Sequence, residues 1–320
     1  MINHTRLFSA SVSGTDTETF ASFCSLYRQR QDALLLMTQL MQMIKFIQRH
    51  RGMSMGLLGG NSMFRDEFDR LQVQLERRLL SVQALARQTN ELLSERDQEN
   101  LLSAWASISH DWQLDSVIDN YELHCHLIEQ LLGMLATLGK QLEQPVSSLI
   151  ERPNEAPVPN IDGSNYPKRF RHLEALHFTT RQMPAVIEQI GRIRALATYA
   201  AAIGRCDAHH DGKLRYVIRC TRVNNEKLRH QTKRLDSILD PNVNLLSQLK
   251  SYEIKLAFLL NMVEQDILTG KKITADSKRI FTVASDIIDV YFRVVEDGLR
   301  LLGQWQEEDM ENWIQLAYIE

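Results

Sequence analysis

Two arginines of this chain occupy positions that helical geometry turns inward. The run Met37, Leu40, Ile44, Ile47 is continued by Arg51, Ser54 and Leu58, and the run Ile187, Ile190 by Arg194, Ala197 and Ala201. Steps of three and four keep side chains on one face of an α-helix, so Arg51 and Arg194 belong to the stripe that faces the core. Arg49 and Arg192, two residues earlier, point the other way. Arg192 also follows Glu188 by four residues, the spacing of an exposed helix-surface ion pair. A guanidinium keeps its proton, so burial leaves a charge that is costly unless a negative group meets it. Two chemistries meet that need. Each arginine can pair with a carboxylate on a neighbouring helix, and Asp115, Asp119 and Glu122 are available in the first half of the chain, Glu226 and Asp236 in the second. Alternatively both converge on a free anion, because a planar guanidinium offers paired N–H donors that match a planar oxyanion such as nitrate. Small residues beside both arginines (Ser54 and Gly56; Ala197, Ala200, Ala201 and Ala202) would let two helices approach closely enough. One monovalent anion between two arginines leaves positive charge over, so a carboxylate or hydroxyl nearby is expected as well.

The elements that must position these side chains are helical throughout. Residues 1–17 are Ser- and Thr-rich without periodicity and read as a flexible tail. From about residue 18 good helix formers dominate and apolar residues recur at three- and four-residue spacing. Helices are expected at roughly 18–58, 62–92 and 95–143, the last broken near His110 and Asp111, then at 168–204, 213–239, 242–269 and 275–318. Gly59 and Gly60 end the first, with Ser62 placed to cap the next; Ser94, three residues before Asp97, is placed to cap another. Five of the seven prolines (Pro145, Pro153, Pro157, Pro159 and Pro167) fall in 144–167, a density no regular helix survives. That segment is read as the connection between a first half, 18–143, and a second, 168–320. The fold class is all-α, two four-helix bundles of about eight helices in total. The halves echo one another: residues 44–52 and 187–195 both read I-x-x-I-x-R-x-R-small, late in the first long helix of each half.

Composition narrows the function classes. With 37 Lys and Arg against 40 Asp and Glu, the net charge of −3 argues against a broad nucleic-acid or anionic-membrane surface. The four cysteines, Cys24, Cys125, Cys206 and Cys220, are scattered singly, which suits reduced thiols in a cytoplasm. The N-terminal residues lack a signal-peptide pattern, and the longest apolar stretch, 34–47, is interrupted by Gln39, Gln42 and Lys45. A cytoplasmic protein without membrane attachment is expected. His124, Cys125 and His126, and the pair His209 and His210, invite a metal, but residues one or two apart on a helix cannot share one. Glu122 and His126 supply only two ligands. No phosphate-loop, nucleophile-elbow or zinc-protease motif is present. Neither enzyme activity nor a cofactor is expected. The methionines from Met37 to Met63 keep core spacing with leucines, and Trp105 and Trp112, seven apart, are expected to pack the first half on one face.

A family resemblance sharpens the anion reading. The segment QRHRGMSMGLL at 48–58 resembles the Q-x-E-R-G-x-S-x-G-x-L signature of the nitrate- and nitrite-sensing (NIT) domain, and EQIGRIRA at 188–195 resembles that family's downstream E-x-x-G-x-x-R-A element. The resemblance implies a pair of four-helix bundles with nitrate or nitrite held between helices by arginines. It assigns ligand binding to Arg51 and Arg194, with Arg49 adjacent to the motif, and to a further arginine of the second half for which Arg219 or Arg222 is the candidate. His50 stands where the signature carries an acid, which removes a local counter-charge. NIT domains are usually fused to an output module, and none is visible: residues 274–318 read as one long amphipathic helix without the three-helix pattern of an RNA-binding antiterminator module. The resemblance therefore implies a signal-transduction protein acting through a separate output partner. A homodimer through the last helix is left open, since no heptad is clean. Two other readings remain: a ligand-free helical scaffold, and an RNA-associated regulator using the basic residues between Lys213 and Arg234.

Overall fold

The computed structural model describes residues 14–89, 92–144, 165–239 and 247–318. Most of the expected tail (1–13) and of the Pro-rich connection (145–164) lies outside the described residues. Among those described, every regular element is helical: α1 (Gly14–Leu58), α2 (Arg65–Gln88), α3 (Glu95–Ser109), α4 (Val117–Lys140), α5 (Asn165–His177), α6 (Met183–Ile203), α7 (Ala208–Ile238), α8 (Ser247–Asp266) and α9 (Ser277–Tyr318). None is long and apolar enough to cross a membrane. Helix α1 begins inside the segment read as tail.

Local chemistry sets the breaks. Gly60 takes φ +89° after α1, a conformation that costs glycine little. Asn61, not Ser62, caps the 3-10 turn Ser62–Phe64, its Oδ1 accepting from the Met63 N–H at 3.1 Å. Ser94 caps α3 as expected: its Oγ accepts from the Asp97 N–H at 3.1 Å and donates to the Asp97 carboxylate at 2.7 Å. Ser116 and Asp119 repeat that device at α4. The expected break at His110 and Asp111 is a left-handed residue, Asp111 at φ +49°, followed by the 3-10 turn Trp112–Leu114. Trp105 and Trp112 are both buried, though on separate elements and not along one helix face.

The helix expected at 168–204 contains a π-helical turn, Phe178–Gln182, between α5 and α6. The Met183 N–H bonds to the Phe178 carbonyl, five residues back, and Pro184, which has no N–H to continue the ladder, follows at the first turn of α6. The Thr180 hydroxyl, freed by the wider turn, donates to the Leu176 carbonyl at 2.8 Å.

In the first half α1 packs on α2 and α4, and α3 on α4 and α2; in the second, α6 packs on α7 and α9, and α8 on α9. Helix α1 also packs along α6 and α9, so one continuous core spans both halves. Helices α1 and α6 run side by side in the same direction, because the contacts advance together along both. A Cβ on Gly52 would lie 3.2 Å from Arg194 Nε, one on Gly56 3.3 Å from Thr198 Cγ2, and one on Gly59 2.7 Å from Ala202 Cβ. Gly56 and Ala202, two of the small residues named from the sequence, thus lie in the close seam of α1 and α6 together with Gly52, Gly59 and Thr198, whereas Ser54 bonds to Asn120 of α4.

A substitution pair tests the seam. Gly59→Ala, just past the end of α1, should destabilise by about 1–2 kcal/mol, because its Cβ would meet Ala202 Cβ at 2.7 Å. Gly133→Ala, exposed in α4 with nothing within 4 Å, should stabilise by about 0.5–1 kcal/mol. Urea unfolding of the two variants reads both signs.

Candidate functional site

The seam places four polar residues of α1 and α6 in the core: Gln48, Arg51, Glu188 and Arg194 are each 2% exposed or less. The stripe argument therefore holds for both arginines, but their fates differ.

Arg51 is answered by the chain itself. Its Nη1 and Nη2 donate to the two Glu188 carboxylate oxygens at 2.7 and 3.1 Å, and Nη1 also reaches Cys125 Sγ at 3.1 Å. Glu188 further accepts from Gln48 Nε2 at 2.7 Å and from Arg192 Nε at 2.8 Å, and Arg192 closes on Glu129 at 2.6 Å. Burial works against the charged carboxylate, yet Arg51 and Arg192 hold Glu188 below the ordinary carboxylate range. Burial likewise opposes the charge on Arg51, and Glu188 reverses the effect, raising it above the usual arginine value. Two arginines and two carboxylates cancel here. Of the two chemistries open to Arg51, the structure shows the carboxylate on a neighbouring helix, which leaves the ligand role that the resemblance assigns to Arg51 without a free guanidinium edge at Nη1 and Nη2. The same cluster corrects the description of Glu188 and Arg192 as a surface pair: the spacing is right, but the Glu188 side chain is only 3% exposed.

Glu188 was the residue sequence reasoning missed as the partner of Arg51. It lies off the Ile187, Ile190, Arg194 stripe, and α6 was read as one-sided. In fact α6 is enclosed on nearly all sides, by α1, α7 and α9. Of the carboxylates named for that role, Asp119 is engaged with Ser116, Glu122 with Lys213 and Glu226 with Arg229, while Asp115 Oδ2 is buried without a hydrogen-bond partner among the described residues.

Arg194 has no such answer. Its Nη1 donates to the Ser285 hydroxyl of α9 at 2.9 Å, while Nε and Nη2 find no hydrogen-bond partner among the described residues. The guanidinium stacks on the Phe281 ring, 4.8 Å from its centroid. Burial, with the like charges of Arg51 and Arg49, pushes Arg194 down to about 9. At neutral pH it stays charged, in an environment that resists the charge.

Arg49 stands nearer to Arg194 than a purely outward side chain would. It pairs with Glu67 of α2, and its guanidinium lies 5.9 Å from the centroid of the same Phe281 ring. One turn back, Lys45 pairs with Asp289 of α9 at 2.9 Å. Both pairs line a groove of about 540 Å³ between α1, α2 and α9, which Arg70 and Arg78 also face. Lys45 with Asp289 and Arg49 with Glu67 are each neutral pairs, while Arg194 behind them and Arg70 and Arg78 on the groove have no carboxylate partner among the described residues.

The later arginines do not join this cluster. Arg222 is clamped to Glu264 at 2.7 and 2.8 Å on the outer surface of α7 and α8, and Arg219 is exposed. Other α7 cations are also paired: Lys213 with Glu122, Arg215 with Asp211, Arg229 with Glu253 and Arg234 with Glu174.

On the far side of Arg51, His50 and His124 form a buried pair. His124 Nδ1 meets the Asn120 carbonyl at 2.6 Å and must donate to it, so its Nε2 accepts from His50 Nδ1 at 2.8 Å. Burial and His124 push His50 well below its usual value; burial, against the pull of the Asn120 carbonyl, pushes His124 down to about 3. Both rings are neutral, so the position that carries an acid in the resembled signature carries no charge here. Compared with protein-family models, curated proteins and solved structures, the chain matches none.

The histidine pair gives a pH prediction. A histidine held below its unfolded value adds nothing to stability changes above about pH 6.5 and removes stability progressively as the pH falls below it. His124 alone should lower unfolding free energy by roughly 2 kcal/mol between pH 7 and pH 5. Urea titrations at the two pH values check this, and the double variant His50→Leu, His124→Leu should lose that part of the dependence.

Proposed function

We propose that this chain is a sensor of nitrate or nitrite, a non-enzymatic NIT-type protein of the cytoplasm that holds the anion with Arg194 and Arg49 and passes a conformational change to a separate regulatory partner. One observation carries the reading. Arg194 is a buried cation with a hydroxyl and an aromatic face beside it, two donor groups without a hydrogen-bond partner and no carboxylate within salt-bridge distance among the described residues. A small planar oxyanion supplies what that environment lacks, since it accepts from two N–H groups at once and brings a negative charge to a cation that no salt bridge meets. The likeness of residues 48–58 and 188–195 to the NIT elements points to the same ion, with Arg49 in the ligand role and Arg51 acting through Glu188 to fix α6 against α1.

Coupling follows from where the site stands. The Phe281 ring of α9 lies 4.8 Å from the Arg194 guanidinium and 5.9 Å from that of Arg49, and Phe64, which leads into α2, packs on Phe281 with centroids 5.0 Å apart. An anion that favours one arrangement of α1, α2 and α9 over another biases that arrangement in proportion to its differential affinity.

The scaffold reading draws its support from the closed Arg51 and Glu188 cluster, which shows that this core can satisfy a buried arginine internally. Isothermal titration separates the two. The sensor binds nitrate or nitrite with measurable heat; a scaffold gives none at millimolar anion. Arg194→Ala should abolish the heat while circular dichroism stays helical. Arg49→Ala should weaken binding about tenfold, the range of one hydrogen bond to a charged group, and Arg222→Ala should leave it unchanged.

A further inference from the structure

The groove contains a carboxylate that competes for the same cation. Glu67 belongs to the first turn of α2 and pairs with Arg49 across the helix boundary. Both side chains are partly open to solvent, 46% and 37% exposed, so the pair can part without burying an unmatched charge. Arg49 donates to Glu67 through Nη2, one of the terminal groups a planar oxyanion would engage. Arg194, by contrast, offers its free donors from a buried position, with Phe281 as the ring the two guanidinium groups share.

We propose that Glu67 is an internal competitor of the anion: the oxyanion displaces its carboxylate from Arg49, and this exchange frees the first turn of α2. The inference rests on the oxyanion reading above and assigns its regulation. The first turn of α2 is positioned to respond. Asn61 caps the preceding 3-10 turn and donates to Ser277 at the start of α9 at 2.6 Å, and Phe64 fills the space against Gly56 and Phe281. Loss of the Glu67 tether removes the one ion pair among the described residues that joins that turn to α1, leaving the Asn61 and Phe64 contacts, Arg65 over Trp112 and the buried Phe68 to hold it. The remaining groove cations, Arg70 and Arg78, have no carboxylate partner among the described residues and can receive the displaced Glu67. Arg70 lies three residues along the same helix, a spacing at which side chains meet.

Nitrate titrations of three full-length proteins test the exchange: the unaltered chain, Glu67→Gln and Glu76→Gln. Glu76 is exposed on α2 outside the groove, so its variant makes the same change in net charge. Glu67→Gln should bind nitrate about two- to fivefold more tightly, the range set by releasing a partly exposed ion pair, and Glu76→Gln should bind as the unaltered chain does. In the unaltered chain, nitrate should speed amide exchange in residues 65–70; in Glu67→Gln that region should exchange fast with or without nitrate. If nitrate binds and Glu67→Gln leaves affinity and exchange unchanged, the competitor role is wrong while the sensor reading survives. Equal tightening by both variants would also overturn it, as a general charge effect. Absence of nitrate binding in all three proteins would overturn both.

Discussion

A guanidinium cannot shed its charge to enter a protein core, so each buried arginine dictates where negative charge must be. Among the described residues three arginines are buried: Arg30, which donates to the Gln144 carbonyl, and, on adjacent parallel helices, Arg51 and Arg194, which the fold treats differently. Arg51 receives a bidentate carboxylate, with Arg192 and Glu129 completing a neutral group. Arg194 receives one hydroxyl and an aromatic ring. The contrast between neighbours in the same seam, one satisfied and one left short, is the constraint from which the functional reading grows.

The seam itself makes the contrast possible. Gly52, Gly56 and Gly59 on α1, against Gly191, Thr198 and Ala202 on α6, bring the two backbones close enough for Gln48 and Arg51 to reach Glu188. The same closeness puts Arg51 and Arg49 within electrostatic range of Arg194, so their positive charge adds to the burial that disfavours it. Beyond the seam, α9 supplies Ser285, Phe281 and Asp289, and α2 supplies Glu67. The candidate site therefore joins elements from both halves of the chain, and a ligand there acts on the junction between them.

Much of this was legible in the amino-acid order because helical periodicity is a local property. The inward turn of Arg51 and Arg194, the Ser94 cap, the break at Asp111 and the helical class all follow from residues within a few positions of one another. The partners did not follow, because they come from distant segments. Glu188 is 137 residues from Arg51, and its burial depends on α6 being enclosed by three helices at once. Arg49 was assigned to the solvent side by the same periodicity that placed Arg51 inside. That placement was half right, since its side chain runs along the α1 surface into a groove that only the arrival of α2 and α9 creates. The π turn Phe178–Gln182 inside the helix expected at 168–204 has no local signal of that kind, although Pro184 stands just after it.

The most direct test of the central claim removes the charge and keeps the bulk. In Arg194→Met the buried cation is gone and a flexible apolar chain fills its space. Thermal unfolding of this variant and of the unaltered protein should be compared across a nitrate series. Without nitrate, Arg194→Met should be as stable as the unaltered protein or more so, and its midpoint should not move as nitrate is added, while that of the unaltered protein rises. A variant much less stable than the unaltered protein without nitrate, or an unaltered protein whose midpoint ignores nitrate, would mean that Arg194 is already satisfied within the fold.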